Sequence, residues 1–198
     1  MTTLVLASGS KIRRTLLQDA GLAIEVNKPL LDEEAIKAAM LAEGAPPRDI
    51  ADILAQEKAL KISRKFPDAT VLGCDQVLDF NGTLLSKPAS PDDVRAQLRA
   101  MRGKRHSLLS AAVICEGGKP IWRHIGQVRL TMRDFSDSYL DSYISRNWDE
   151  IRHCVGGYML EKEGVRLFSR IEGDYFNVLG LPMIELMNYL TIKGVIDG

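Results

Sequence analysis

Asn81-Gly82, set between the β-rich runs 77–80 and 83–86, constrains the fold of this chain more than any other feature. Asn-Gly suits a two-residue turn whose central φ angles are both positive, so the flanking runs are predicted to pair as an antiparallel hairpin. A purely parallel, doubly wound sheet is thereby excluded, because parallel neighbours need long crossovers. Apolar residues at helical spacing surround the hairpin. They predict helices over 11–20, 33–43, 47–66 and 91–102, another starting at Ser136, and a last one over 182–192. Further strands are expected at 4–7, at 69–74 ending at Asp75, and at 106–115 with 120–131 across Gly117-Gly118. Two more short strands are expected on either side of the 161–164 turn. Strands and helices so interspersed argue a mixed-sheet α/β protein flanked by helices.

The 198 residues fit a single domain, 1–198, without an internal repeat or a linker long enough to divide it. Lys plus Arg equals Asp plus Glu, 26 of each. That balance argues against wrapping a nucleic acid polymer but leaves room for a local cation cluster that binds a small anion. Cys74, Cys115 and Cys154 are odd in number and far apart, which supports neither a disulfide framework nor a zinc ribbon. Residues 1–10 lack a basic region followed by an apolar run, and no apolar stretch is long enough to cross a bilayer. The expectation is a cytoplasmic protein with no membrane partner.

Four groups of residues could carry chemistry. Ser8-Gly9-Ser10 joins a strand to a helix start with Lys11, Arg13 and Arg14 alongside, an arrangement suited to phosphate. On the 47–66 helix, the stripe Ile50, Ile53, Leu54 is expected to bring Glu57 onto the apolar face, with Lys58 at its margin. Asp75 ends its strand near Lys87; the hairpin register sets Gln76 opposite Lys87, so a bulge would be needed for Asp75 and Lys87 to share a face. Glu33, in Asp32-Glu33-Glu34, could join Asp75 as a minimal carboxylate pair for a hard divalent cation. Neither His106, His124 nor His153 has a Ser or Cys partner at triad spacing.

These groups occur together in one familiar order. Leu6-Ala7-Ser8-Gly9-Ser10-Lys11-Ile12-Arg13-Arg14, Leu31-Asp32-Glu33, Ala55-Gln56-Glu57-Lys58-Ala59, Gly73-Cys74-Asp75-Gln76-Val77 and Ser86-Lys87-Pro88 resemble the successive motifs of the Maf family, once called septum-formation inhibitors. Gly156-Gly157-Tyr158 and the 173–182 segment continue the resemblance. It implies a two-lobed mixed-sheet fold with a cleft, related to the inosine-triphosphatase-like fold. It also implies hydrolysis of a nucleoside triphosphate to the monophosphate and pyrophosphate, dependent on Mg²⁺ or Mn²⁺ and often carried out by a homodimer. Matched positions make Ser8, Arg13, Lys58 and Lys87 phosphate-binding, Glu33 an acidic site residue and Asp75 the proton acceptor, and Glu33 and Asp75 are the expected metal-binding pair. The resemblance ties substrate choice to Ile12, Gln76 and Glu161. Gln76 and Glu161 match the branch preferring 7-methyl-GTP, whereas that branch carries Trp at the position of Ile12. Lys11 and Ser86 replace the family's usual Pro and Gly. The expected substrate is a guanine-type triphosphate; the alternative is a nucleotide-binding regulator of division with little catalysis.

Overall fold

In a computed structural model, residues 4–197 are described; residues 1–3 and 198 of the expected 1–198 domain lie outside the described residues. Seven strands form one mixed sheet. β1 (Leu4–Ala7) lies parallel to both β2 (Ile24–Val26) and β3 (Thr70–Phe80), and from β3 onward every pairing is antiparallel. The order is β2-β1-β3-β5-β6-β7, with β4 (Thr83–Leu85) paired to β3, and β5 (Arg105–Glu116), β6 (Lys119–Met132) and β7 (Phe168–Glu172) completing the sheet. Asn81 and Gly82 both take positive φ, 54° and 84°, and Phe80 pairs with Thr83 as the hairpin requires.

The helices begin where side chains can cap them. Ser10, Asp32, Ser90 and Ser136 each accept a backbone N–H from the third residue of α1 (Lys11–Asp19), α2 (Glu33–Ala42), α4 (Pro91–Met101) and α5 (Asp137–Ile151). α3 (Pro47–Ser63) opens on its proline, and α7 (Met183–Lys193) closes the fold after a short turn of helix, α6 (Tyr175–Val178). No helix among the described residues is long and apolar enough to cross a membrane.

The two faces of the sheet are covered differently. On one, the odd-numbered residues Val71 and Val77 of β3 and Leu109, Ala111 and Val113 of β5 pack on α3 as one cluster. On the other, even-numbered residues divide into two clusters. Leu72, Cys74, Ala112 and Ile114 pack with Leu17 of α1 and Leu186 and Leu190 of α7; Leu78, Leu108, Val128 and Leu130 pack with α4 and α5. A seam therefore crosses that face at the level between Cys74 and Leu78.

Two local expectations differ from the structure, and one strand was not expected. β3 does not end at Asp75 but runs unbroken from Thr70 to Phe80, because β5 pairs with it continuously over 71–79. β2 had no legible signal. The segment before the 161–164 turn is no strand: Gly156 and Gly157 take positive φ, 77° and 68°, in a short 3-10 turn whose Gly157 presses on Val94 of α4.

Candidate active site

The site begins with a break in the sheet. β1 pairs with β3 only as far as Ala7–Gly73, and β4 occupies the same edge only from Leu78, since β5 fills the opposite edge throughout. Residues 74–77 of β3 thus present one unpaired backbone edge, whose polar groups need partners from elsewhere. Arg13 supplies one: its Nη1 donates to the Cys74 carbonyl at 3.1 Å, while its Nε donates to the Gly180 carbonyl at 2.8 Å. Ser8 is buried beside it, its Oγ accepting from the Ser10 N–H at 3.2 Å and facing Arg13 Nη1 at 3.4 Å. The Ser8-Gly9-Ser10 turn, the start of α1 and Arg13 therefore stand at the mouth of the break.

Asp75 points to the α3 face. Gly73 makes this possible, because a Cβ there would lie 2.2 Å from the Ala55 carbonyl oxygen and 2.6 Å from the Ala59 nitrogen. Helix and strand touch backbone to backbone, with Ala55 and Ala59 keeping the helix side small. At that spacing Lys58 reaches across, and its Nζ lies 2.6 Å from Asp75 Oδ1 and 2.9 Å from Glu33 Oε2. Lys58 and Asp75 are 7% and 6% exposed, and Glu33, at the start of α2, is part-exposed. Burial of this kind is tolerated because the charges neutralise one another. Asp75 Oδ2, however, is buried with no hydrogen-bond partner among the described residues.

The inward-facing residue of α3 is Lys58 rather than Glu57. The buried stripe is Ile50, Ala51, Leu54, Ala55, Lys58, Ala59 and Ile62, which repeats every three and four residues; Ile53 is off it, so counting from Ile53 misplaced the face. Lys87 lies beyond the end of β4, exposed and without an ion-pair partner among the described residues. The β3–β4 register runs without a bulge from Phe80–Thr83 to Leu78–Leu85 and stops short of Lys87, whose charge is felt at Cys154. Ile12 is half-buried on the first turn of α1. Gln76 points to the face opposite Asp75, and its amide nitrogen donates to the Asn177 and Val178 carbonyls and the Ser110 hydroxyl at 2.9–3.0 Å. Glu161 is exposed and forms no salt bridge among the described residues; its charge reaches Cys154 and Tyr175. The structure brings Ser8 to Arg13, and Glu33 to Lys58 and Asp75, while Ile12, Lys87, Gln76 and Glu161 stand apart from that cluster.

Lys28 escaped notice in the sequence. Its aliphatic stem lies across the phosphate-type turn, 3.2 Å from where a Gly9 Cβ would be, adding a cation beside Ser8-Gly9-Ser10. Only the pairing of β2 with β1, with the Asn27 N–H donating to the Leu6 carbonyl, carries it there. Cys74 is no nucleophile: burial raises its thiol to about 11 despite Arg13 and Lys58 nearby, so it stays protonated. An open cavity of about 510 Å³ between Ser138 and Arg166 contains none of these residues, and its Arg146 is held by Glu163.

A mixed sheet with a gap along one edge of β3, guanidinium and turn donors on one side of it and a buried acid–ammonium pair on the other, marks a mixed α/β protein whose candidate site has groups able to receive an anion. The chain belongs to the family of Maf-like proteins, whose model matches residues 3–192. It is 65% identical to a nucleoside triphosphate pyrophosphatase of Ruegeria pomeroyi, over 98% of each chain. It is 47% identical to one of Caulobacter vibrioides (99% of this chain, 98% of the relative) and 41% identical to a 7-methyl-GTP pyrophosphatase of Rhizobium meliloti (98% of each).

Proposed function

We propose that this chain hydrolyses nucleoside triphosphates between the α and β phosphates, releasing the monophosphate and pyrophosphate. The observation that carries this reading is Asp75, with one oxygen held by Lys58 and the other buried without a hydrogen-bond partner among the described residues, beside the break in the sheet. An acceptor in that condition is suited to take a proton from water as the water attacks the α phosphorus. The substrate class comes from the names of the relatives at 65% and 47% identity. Arg13, Ser8 and the N–H groups at the start of α1 receive phosphate oxygens, and Lys58 and the uncommitted Lys87 balance charge on the triphosphate.

The donor set suits a hard divalent cation: Glu33 and Asp75 are two carboxylates gathered around Lys58, and Asp75 Oδ2 has no hydrogen-bond partner among the described residues. Glu33 and Asp75 would hold Mg²⁺ or Mn²⁺. When bound, such an ion supplies neutralisation of the phosphoanhydride charge.

For the base we infer a guanine-type preference. Glu161 is a carboxylate without an ion-pair partner among the described residues, able to accept the N1–H and N2–H of guanine together, whereas uracil and thymine offer one such donor. The amide hydrogens of Gln76 are occupied, so Gln76 can contribute only its carbonyl oxygen. Ile12 offers apolar contact without the cation–π attraction of an indole, so a 7-methyl group should matter less here than for a Trp-bearing relative. Pyrophosphate release from GTP, 7-methyl-GTP, UTP and dTTP, with Mg²⁺ or Mn²⁺, tests both claims. Guanine substrates should turn over fastest. Asp75→Asn should lose about 10²- to 10⁴-fold in kcat. Nucleotide binding with no turnover of any triphosphate would favour a nucleotide-binding regulator instead.

A further inference from the structure

The seam between the two apolar clusters is crossed by a polar row. Gln76 of β3 pairs with Ser110 of β5, and Ser110 pairs with Gly126 of β6, so all three present the same face of the sheet. On either side the corresponding rows, Cys74–Ala112 and Leu78–Leu108–Val128, belong to the packed clusters. α6 is seated on this row. The Asn177 carbonyl accepts from Gln76 Nε2 at 2.9 Å and from Ser110 Oγ at 2.6 Å, and Gln76 also donates to the Val178 carbonyl at 3.0 Å. Over Gly126 the approach is closer still, since a Cβ there would lie 2.0 Å from Asn177 Oδ1. Any side chain at 126 would force the Asn177 side chain from its place over the row.

What α6 holds is the Arg13 guanidinium. The same Asn177 carbonyl accepts the Gly180 N–H at 3.2 Å, and the Gly180 carbonyl accepts Arg13 Nε at 2.8 Å. Gly180 has a φ of +100°, and a Cβ there would sit 3.3 Å from Arg13 Nε and Nη2, so glycine lets the loop close directly on the guanidinium. The path runs from the row to the Asn177 carbonyl, on to the Gly180 N–H, and from the Gly180 carbonyl to a cation that faces Ser8 and the free edge of β3.

We propose that Gln76, Ser110 and Gly126 are positioning residues for Arg13, acting through the Asn177 and Gly180 carbonyls. Their relevance to catalysis rests on the pyrophosphatase reading, but their action on Arg13 does not. Gln76 on this account is first a buttress for the loop. Ser110 and Gly126, which carry no chemistry of their own, share that task. A guanidinium whose fork is fixed in advance loses less freedom when it binds phosphate, so slackening the row should weaken the anion site before it harms the fold.

The test is the hydrogen exchange of the Arg13 Nε–H, followed by NMR and assigned with Arg13→Lys, together with the affinity for inorganic pyrophosphate. In Ser110→Ala and in Gly126→Ala, exchange should accelerate at least tenfold and pyrophosphate affinity should fall roughly fivefold. Ile151→Val, a core truncation outside the row, serves as the control for general destabilisation and should move neither. Should Ser110→Ala fail to fold, Ser110→Cys, with its weak donor, takes its place. Exchange and affinity equal to wild type, or equal to Ile151→Val, would overturn the proposal. A wild-type protein that releases no pyrophosphate from any triphosphate would sink the pyrophosphatase reading while leaving the Arg13 exchange result to stand or fall by itself.

Discussion

Gly73→Ala probes the joint on which the site depends. The added methyl would meet the Ala55 carbonyl oxygen at 2.2 Å, the Ala59 nitrogen at 2.6 Å and the Ala59 Cβ at 2.8 Å. Two of those atoms are helix backbone and cannot rotate away, so α3 must retreat from β3 by roughly 1 Å to restore ordinary contact. Overpacking of this kind costs about 1–3 kcal/mol, and the upper end applies because a whole helix moves. For a chain of this length that lowers Tm by about 6–12 °C. The same displacement carries Lys58 away from Asp75, whose contact is now 2.6 Å. Misplacing a reacting group by about 1 Å can cost on the order of 10²-fold in rate. Thermal unfolding followed by circular dichroism, with kcat/KM for GTP below the new Tm, reads both effects. A Gly73→Ala protein with wild-type Tm and wild-type kcat/KM would refute the claim that this close approach sets the geometry.

Three further outcomes follow from the same structure. Lys58→Met leaves Asp75 buried without its cation and should cost about 3–5 kcal/mol in urea unfolding, whereas adding Asp75→Asn should recover part of that loss. His106 is 3% exposed, bonds Tyr158 through Nε2, and is lowered by burial to about 4 from an ordinary 6.5. Between those values the unfolded chain binds the extra proton, so stability is full above pH 6.5 and falls as pH drops towards 4, by roughly 3 kcal/mol in all; urea midpoints flat across that range would contradict this. Glu161→Gln should narrow the ratio of kcat/KM for GTP over UTP by about tenfold, and an unchanged ratio would make Glu161 a solvated turn residue.

Local features were legible in the sequence where the chain interacts with its near neighbours. The Asn81-Gly82 hairpin and the four capped helix starts depend on residues within a turn of one another, and the structure has them where the spacing predicts. The Asp75-Gln76 pair misled because polar residues in the middle of a strand look like its end. Only the pairing with β5, some 35 residues away, shows that β3 continues through the break. Choosing between Glu57 and Lys58 required the phase of the α3 stripe, which small residues such as Ala51, Ala55 and Ala59 define and hydrophobicity barely marks. Ser8, Arg13, Glu33, Lys58 and Asp75 could be named as candidates from local pattern. The grouping of Ser8 with Arg13 and of Glu33 and Asp75 around Lys58, and the addition of Lys28, Ser110, Gly126 and Gly180, come from strand pairing and loop docking that no spacing encodes.

The central claim, attack of water on the α phosphorus, is tested most directly by turnover of GTP in H₂¹⁸O with mass spectrometry of both products. The account predicts one ¹⁸O in GMP and none in the pyrophosphate released. Label in the pyrophosphate, or GDP and inorganic phosphate as the products, would contradict it.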